Sequence, residues 1–136
     1  MVADRFSYYY KHTLDAKGRL ILPAKFRNQL GDTIAMMRGN GPCIRLYSMS
    51  EWQKLNDKYA NVDEDETPEL FDKMRKLIST SMDDIAPDKQ SRILLHPTFR
   101  AYAKLDKDVI VAGMGRHVEI WDKKRYYEFA EIEEDE

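Results

Sequence analysis

The chain has 136 residues, enough for one compact domain or for two small halves that share a core. Its single cysteine, Cys43, excludes an intrachain disulfide and a cysteine-based zinc cluster. The net charge of −2 does not exclude nucleic-acid binding, because residues 4–27 and 88–104 are basic while residues 63–66 and 128–136 are acidic.

Secretion and membrane insertion are not indicated by the sequence. The amino-terminal residues lack the apolar core of a signal peptide. No stretch approaches the roughly 20 apolar residues that span a bilayer. We therefore expect a cytoplasmic protein with no membrane partner.

The amino-terminal part predicts an extended segment, a tight loop and a short strand. Residues 6–14 alternate apolar and polar side chains, which is typical of a strand. The loop that follows begins at Asp15 and ends at Arg19, and Gly18 can take the positive φ that a tight turn requires. The aliphatic residues 20–22 then predict a short strand.

A helix and a pair of strands come next. Pro23 suits the first turn of a helix that ends near Leu30, with Gly31 as its C-terminal stop. Residues 33–37 and 44–47 then predict two strands joined by a Gly-x-Gly turn.

Two further helices are predicted from their amino-terminal signals. Ser48-Met-Ser-Glu51 has the spacing of a capping box. Later in the chain, Thr67 is a predicted N-cap and Pro68 the first helical residue of a connector helix. We expect the apolar stripe of this connector helix to be core or a subunit contact; it comprises Leu70, Phe71, Met74, Leu77 and Ile78.

Residues 88–100 repeat the pattern of residues 15–27. In both segments an aspartate is followed by an arginine four positions later, then by three aliphatic residues, a proline and a closing Phe-Arg. Downstream, residues 109–112 and 118–121 predict a second strand pair around a second Gly-x-Gly turn, and Asp122 is expected to cap the last helix. So many ordered matches indicate an internal duplication.

The duplicated segments resemble the MraZ family of bacterial regulators. The residues that carry the resemblance are His12-Thr-Leu-Asp-Ala-Lys-Gly-Arg-Leu-Ile-Leu-Pro-Ala-Lys-Phe-Arg27, and Asp88-Lys-Gln-Ser-Arg92 with its downstream Pro-x-Phe-Arg. The Leu-Tyr and Ile-Trp pairs before the closing helices match as well. Ser91 stands where the family pattern has glycine, which leaves open whether both loops share one backbone conformation.

This resemblance implies a tandem pair of AbrB-like (SpoVT-AbrB, swapped-hairpin) halves whose protomers assemble into a ring. Family members bind short direct repeats in promoter DNA through the Asp-x-x-x-Arg loops. The resemblance thus implies a nucleoid-associated transcriptional regulator that represses its own division and cell-wall gene cluster. Its partners would be double-stranded promoter DNA and further copies of itself, with no cofactor and no small-molecule substrate.

We therefore predict an α+β fold, mainly β, in which two AbrB-like β-α-β-β halves pack as one pseudo-symmetric barrel with flanking helices. The first half is placed at 5–60, a connector with its helix at 61–80, the second half at 81–132 and an acidic tail at 133–136. The acidic residues 128–136 could keep the rest of the assembly off DNA, but we interpret them as a disordered solubilising end.

The chemistry of DNA reading favours the loop arginines, because a guanidinium can bridge the O6/N7 edge of guanine with two hydrogen bonds. Lys17 and Arg27 suit phosphate contacts. Phosphate would repel Asp15, so we expect this residue to accept hydrogen bonds from loop amides or to orient Arg19. The candidate DNA-binding residues are Asp15, Lys17, Gly18, Arg19, Arg27, Asp88, Arg92 and Arg100.

Two other interpretations stay open. Each Asp–Arg pair could be a purely structural ion pair, and the chain could be an antitoxin-like or scaffold module that holds a protein partner on its connector helix. Enzyme function is not favoured, because His12, His96 and His117 lack metal-binding spacing and the Gly-x-Gly turns lack the rest of a dinucleotide fingerprint. We therefore expect no catalytic residue and no metal site.

Overall fold

The computed structural model describes residues 5–134. Eight strands and five helices occur in this part of the chain. In chain order they are β1 (Tyr9–Thr13), β2 (Arg19–Ile21), α1 (Ala24–Leu30), β3 (Ile34–Arg38), β4 (Cys43–Ser48), α2 (Met49–Ala60), α3 (Pro68–Ser79), β5 (Met82–Ile85), β6 (Arg92–Leu94), α4 (Pro97–Tyr102), β7 (Asp108–Gly113), β8 (Val118–Asp122) and α5 (Lys123–Ala130). None of these helices has the length and apolar character needed to cross a bilayer.

The strands form a six-stranded antiparallel sheet and a separate two-stranded ribbon made of β2 and β6. The sheet order is β1-β7-β8-β4-β3-β5. In the repeat, β1, β3 and β4 correspond to β5, β7 and β8, so each half contributes its first strand to the other half's hairpin. The predicted α+β, mainly β fold with two related halves is confirmed, although the barrel is open because β1 and β5 are outer strands.

The main core lies between the sheet and the ribbon. Alternation along β4 sends Ile44 and Leu46 to the side of the sheet where they cluster with Leu20 and Ile93 of the ribbon. All four side chains are buried. Because burial of each large aliphatic side chain contributes about 1.5–3 kcal/mol, these contacts fix the position of the ribbon on the sheet.

The opposite side of the sheet carries two smaller clusters that helices cover. One contains Trp121 of β8 with Tyr126 and Tyr127 of α5. The other contains Trp52 of α2 with Tyr47 of β4, and the connector helix α3 packs against it. The sheet therefore separates the ribbon from α2, α3 and α5.

Most of the predicted helix ends are confirmed. The Ser48 hydroxyl accepts a hydrogen bond from the Glu51 N–H at 3.3 Å, and the Asp122 carboxylate accepts one from the Arg125 N–H at 3.1 Å. Thr67 stands at the start of α3, but its hydroxyl donates to the Asp63 carbonyl and no side-chain capping bond forms.

The structure differs from the prediction at two strands. The extended segment 6–14 is interrupted at Tyr8, whose φ is +71°, so β1 begins at Tyr9 and Phe6 forms a separate bridge to Gly115. Strand β5 was not predicted, because Met82-Asp-Asp-Ile85 is short, acidic and largely exposed at the edge of the sheet.

The predicted division into 5–60, 61–80, 81–132 and 133–136 stays a prediction, since strand exchange mixes the two halves in space. In the predicted acidic tail, residues 135 and 136 lie outside the described residues. Residues 133 and 134 follow α5 and are exposed, and the Glu134 carboxylate pairs with Lys123 Nζ at 3.2 Å.

Candidate nucleic-acid interface

The first Asp-x-x-x-Arg loop is closed by its own aspartate. Asp15 Oδ1 accepts hydrogen bonds from the backbone N–H groups of Lys17 and Arg19, both at 2.9 Å. Asp15 Oδ2 accepts a third bond from Arg19 Nε at 2.7 Å. The sequence left open whether Asp15 shapes the loop or orients the arginine, and the structure shows that it does both.

The second loop has the same set of bonds. Asp88 Oδ1 accepts from the N–H groups of Gln90 and Arg92 at 2.9 and 3.0 Å, and Asp88 Oδ2 accepts from Arg92 Nε at 2.8 Å. Ser91 has a φ of +60°, close to the +79° of Gly18. The two loops therefore share one backbone conformation, although serine adopts it with more strain than glycine.

The two loops are joined through the ribbon. In its antiparallel register Arg19 lies opposite Leu94 and Ile21 lies opposite Arg92, so the loops stand at opposite ends of the ribbon. The pairing continues into both loops, because the Leu22 N–H donates to the Ser91 carbonyl and the Leu95 N–H donates to the Gly18 carbonyl, each at 3.0 Å. A pseudo-twofold axis thus relates the loops.

One face of the ribbon points away from the core and carries both loop arginines. Because directly opposite residues share a face, Arg19, Leu94, Ile21 and Arg92 lie together on this outer face. Ile21 and Leu94 are 50% and 52% exposed. Sequence analysis did not anticipate their exposure, although alternation in a short strand with a buried middle residue could have indicated it.

The electrostatic state of both pairs favours a fixed, ionised arrangement. The hydrogen bond from the Arg19 N–H, together with the Arg19 guanidinium, lowers the pKa of Asp15 below its ordinary value. The Arg92 N–H and guanidinium lower the pKa of Asp88 in the same way. Within residues 5–134 the Nη atoms of both arginines donate to no protein acceptor, so two N–H-bearing nitrogens on each remain for a ligand.

Comparison with known proteins places this chain in a family. The family model described as "MraZ protein, putative antitoxin-like" matches residues 6–73 and 80–136. The chain belongs to the MraZ family.

Several curated MraZ proteins are similar over nearly the whole chain. "Transcriptional regulator MraZ" of Thermoanaerobacter pseudethanolicus is 37% identical over 121 residues, covering 89% of this chain and 83% of the relative. The protein of that name from Dictyoglomus turgidum is 37% identical over 120 residues, covering 88% and 81%. The one from Lactobacillus delbrueckii subsp. bulgaricus is 39% identical over 122 residues, covering 90% and 84%.

The other predicted basic residues of this MraZ-family chain surround the loops in different ways. Lys17 is exposed in the first loop. Arg100 packs over Gly18 and donates from Nε to the Leu95 carbonyl at 2.9 Å. Arg27, its equivalent in the first half, instead donates from Nη1 to the Gly31 carbonyl at 2.8 Å. The repeat is therefore asymmetric at this position, and both arginines keep further donors.

A buried polar centre on the other side of the sheet was missed by sequence analysis. Glu119 is 7% exposed and bonds Trp121 Nε1 and His117 Nε2, both at 2.9 Å, while Arg45 Nε lies 3.4 Å away. Burial alone would raise the pKa of Glu119, but the His117 and Trp121 bonds and the Arg45 charge lower it overall. Because Glu119 of β8 pairs with Arg45 of β4, this centre holds the two strands together.

The connector helix α3 turns most of its apolar stripe inward. Met74 is buried, and Leu77 and Ile78 pack against the Trp52 cluster. Leu70 stays 47% exposed. Across residues 5–134 no group of three or more histidine, cysteine, aspartate or glutamate side chains is arranged to hold a metal ion.

Proposed function

We propose that the chain is a DNA-binding transcriptional regulator that reads promoter DNA with its two Asp-x-x-x-Arg loops. The observation that carries the proposal is the outer face of the ribbon, where two guanidinium groups from different repeats are held in one orientation by identical hydrogen bonds. The relatives' name, "Transcriptional regulator MraZ", supports the same class of function.

The loop geometry suits base reading. Each aspartate engages Nε and fixes the guanidinium, so the two Nη atoms can meet the O6 and N7 atoms of one guanine. Such a contact discriminates against other bases by about 1–3 kcal/mol. Asp15 and Asp88 each accept hydrogen bonds from loop N–H groups and pair with an arginine, so their charges are compensated within the loops.

Phosphate contacts would come from the basic residues beside the loops. Lys17 is exposed at the tip of the first loop, and Arg27 and Arg100 each keep donors that no backbone carbonyl uses. Such contacts set affinity and position without reading sequence. In this proposal Gly18 serves by letting the first loop turn, with a φ of +79°.

We further propose that protomers assemble into a ring that binds direct repeats. The sheet has two unlike outer strands, β1 and β5, at opposite edges, and head-to-tail contacts between unlike surfaces generate rings when the rotation closes. Exposed Tyr8 precedes β1, and exposed Met82 begins β5. Repeats spaced by about 10 bp would then present the same face of the duplex to successive protomers.

The regulatory setting is a separate proposal, which the family of the chain supports. We propose that the protein acts at the nucleoid as a repressor of its own division and cell-wall gene cluster. A reporter fused to the chain's own promoter should become more active in a deletion strain and return to its basal level on complementation. Unchanged reporter activity in the deletion strain would contradict autorepression while leaving DNA binding open to the direct assay below.

The decisive experiment measures binding to a fluorescent duplex from the chain's own upstream region against a scrambled duplex, at two salt concentrations. We expect tight, salt-sensitive and sequence-selective binding by the wild type. Arg19→Ala should weaken binding to the upstream duplex by roughly 5- to 150-fold. Arg75→Ala, which removes an exposed cation from α3, should leave it unchanged.

Two results would count against the proposal. If wild type binds neither duplex, the Asp–Arg pairs are structural. If Arg19→Ala binds as tightly as wild type while Arg75→Ala does too, the contact surface lies elsewhere. Arg19→Lys separates charge from geometry, because lysine keeps the positive charge but cannot make the bidentate contact.

A second candidate function is an interaction module that holds a protein partner, which the words "antitoxin-like" in the family description favour. Its docking surface on α3 is reduced, because Met74, Leu77 and Ile78 already pack against the fold. Salt dependence distinguishes the two functions, since phosphate-driven binding weakens steeply with salt and apolar docking changes little.

A further inference from the structure

The outer face of the ribbon exposes an apolar pair beside its two arginines. Ile21 and Leu94 are 50% and 52% exposed, whereas the residues beside them in sequence, Leu20 and Ile93, are buried. One residue of the pair comes from each half of the chain, and the pseudo-twofold axis relates them. Duplication has therefore preserved an exposed aliphatic side chain at the same place in both repeats.

Single exposed aliphatic residues are common on protein surfaces and need no explanation. This pair differs because of its position. Ile21 lies opposite Arg92 and Leu94 lies opposite Arg19, so each aliphatic side chain sits about 5 Å from an arginine across the ribbon. An apolar partner alone would leave the Nη atoms of both arginines without acceptors, so we expect a ligand that combines apolar groups with hydrogen-bond acceptors.

The major-groove edge of DNA has this combination. Guanine presents two acceptors, and thymine presents a C5-methyl group that accepts apolar contact. A two-stranded antiparallel ribbon fits the groove, which is about 12 Å wide. The diagonal from Arg19 to Arg92 spans roughly 7–8 Å between Cα atoms, about two base-pair steps.

We propose that Ile21 and Leu94 contact thymine methyl groups and thereby determine which bases are accepted beside the two arginine-contacted guanines. This inference rests on the proposed function and deepens it. At each end of the ribbon one arginine supplies hydrogen bonds, and the aliphatic side chain opposite it reads a neighbouring methyl group. Each contact buries part of a methyl group that water would otherwise hydrate.

The test removes the methyl group from the DNA. The upstream duplex is synthesised with every thymine replaced by deoxyuridine, which keeps base pairing and lacks only the C5-methyl. Wild type should bind this duplex about fourfold more weakly for each methyl group that it contacts. The double variant Ile21→Ala/Leu94→Ala should bind both duplexes equally, because it lacks the side chains that contact the methyl groups.

A control separates this effect from the general loss of an exposed aliphatic side chain. Leu70→Ala removes a similarly exposed leucine from α3, so it should keep the wild-type preference for the thymine duplex. Because Ile21 and Leu94 are half exposed, the double variant should unfold at the same urea concentration as wild type. Equal urea midpoints would show that a change in binding comes from the lost contacts with DNA and not from a loss of folding.

The outcomes are distinguishable. If wild type binds both duplexes equally while Arg19→Ala still loses binding, the methyl contact is overturned and the proposed function stands. If the double variant weakens both duplexes by the same factor and retains the thymine preference, the pair contacts something other than thymine, and the inference is overturned. If wild type binds neither duplex, both the inference and the proposed function fail.

Discussion

Gly18 is the residue at which the two otherwise equivalent loops can be compared by a single substitution. It has a φ of +79°, and a Cβ placed there would lie 2.7 Å from Arg100 Cζ and 2.8 Å from Arg100 Nε. Ser91 at the equivalent position tolerates a Cβ at a φ of +60°. We expect Gly18→Ala to destabilise the protein and Ser91→Ala to be nearly neutral.

The magnitude follows from three contributions. A side chain in the left-handed region costs about 1–2 kcal/mol. The Arg100 guanidinium is the mobile end of a long side chain, so it moves aside, and loss of its bond to the Leu95 carbonyl costs about 0.5–1.5 kcal/mol. Alanine also restricts the unfolded chain, which offsets about 0.4–1 kcal/mol. Gly18→Ala should therefore lower the free energy of unfolding by roughly 0.5–3 kcal/mol.

Urea unfolding at one fixed protein concentration measures these differences, with the fluorescence of buried Trp52 and Trp121 as the signal. Ser91→Gly relieves the left-handed penalty but gives the unfolded chain more conformational freedom, so it should stabilise the protein by at most about 1.5 kcal/mol. A cost below about 0.5 kcal/mol for Gly18→Ala, or a clear loss of stability in Ser91→Gly, would refute the reasoning from loop geometry.

Three further outcomes are expected. In NMR titrations, the pKa values of Asp15 and Asp88 should be lower in the folded protein than in the urea-unfolded chain. Each ionised carboxylate therefore stabilises the fold at pH values above its unfolded pKa. This contribution is lost as the pH falls through the folded pKa. Burial raises the pKa of Cys43 to about 12, so a thiol reagent at pH 8 should meet about one thiolate in 10⁴ molecules and modify the folded protein far more slowly than the unfolded one. Glu119→Ala should lower the free energy of unfolding by about 2–4 kcal/mol and Glu119→Gln by less, since alanine leaves the Trp121 N–H and the Arg45 charge unpaired; equal urea midpoints for the two variants would contradict this role.

Local features of the fold were largely predictable because they depend on neighbouring residues. The hydrogen bonds of Asp15, the positive φ of Gly18 and the Ser48 cap each arise within five consecutive residues. Duplication then predicted the second loop with the same chemistry. The DNA-contact role of these residues stays a prediction until binding is measured.

Features that depend on distant residues were not predictable from local patterns. The outward position of Ile21 requires that β2 pairs with β6 and packs its other face on the sheet. The Glu119 centre requires β4 beside β8, which brings Arg45 opposite Glu119. Neither pairing leaves a signal in the hydrophobic periodicity of a single segment.

The exchange of first strands between the halves also sets the order in which the chain can fold during synthesis. Strand β1 has its sheet partner in β7, where Tyr9 lies opposite Ala112 and Lys11 opposite Ile110, about 100 residues later. At a translation rate of about 5–20 residues per second, the emerging β1 strand waits roughly 5–20 s for that partner. The first half is thus synthesised as a β3–β4 hairpin whose edges have no partner strand. Until β7 has emerged, these edges and β1 can pair with a nascent chain on a neighbouring ribosome of the same messenger RNA.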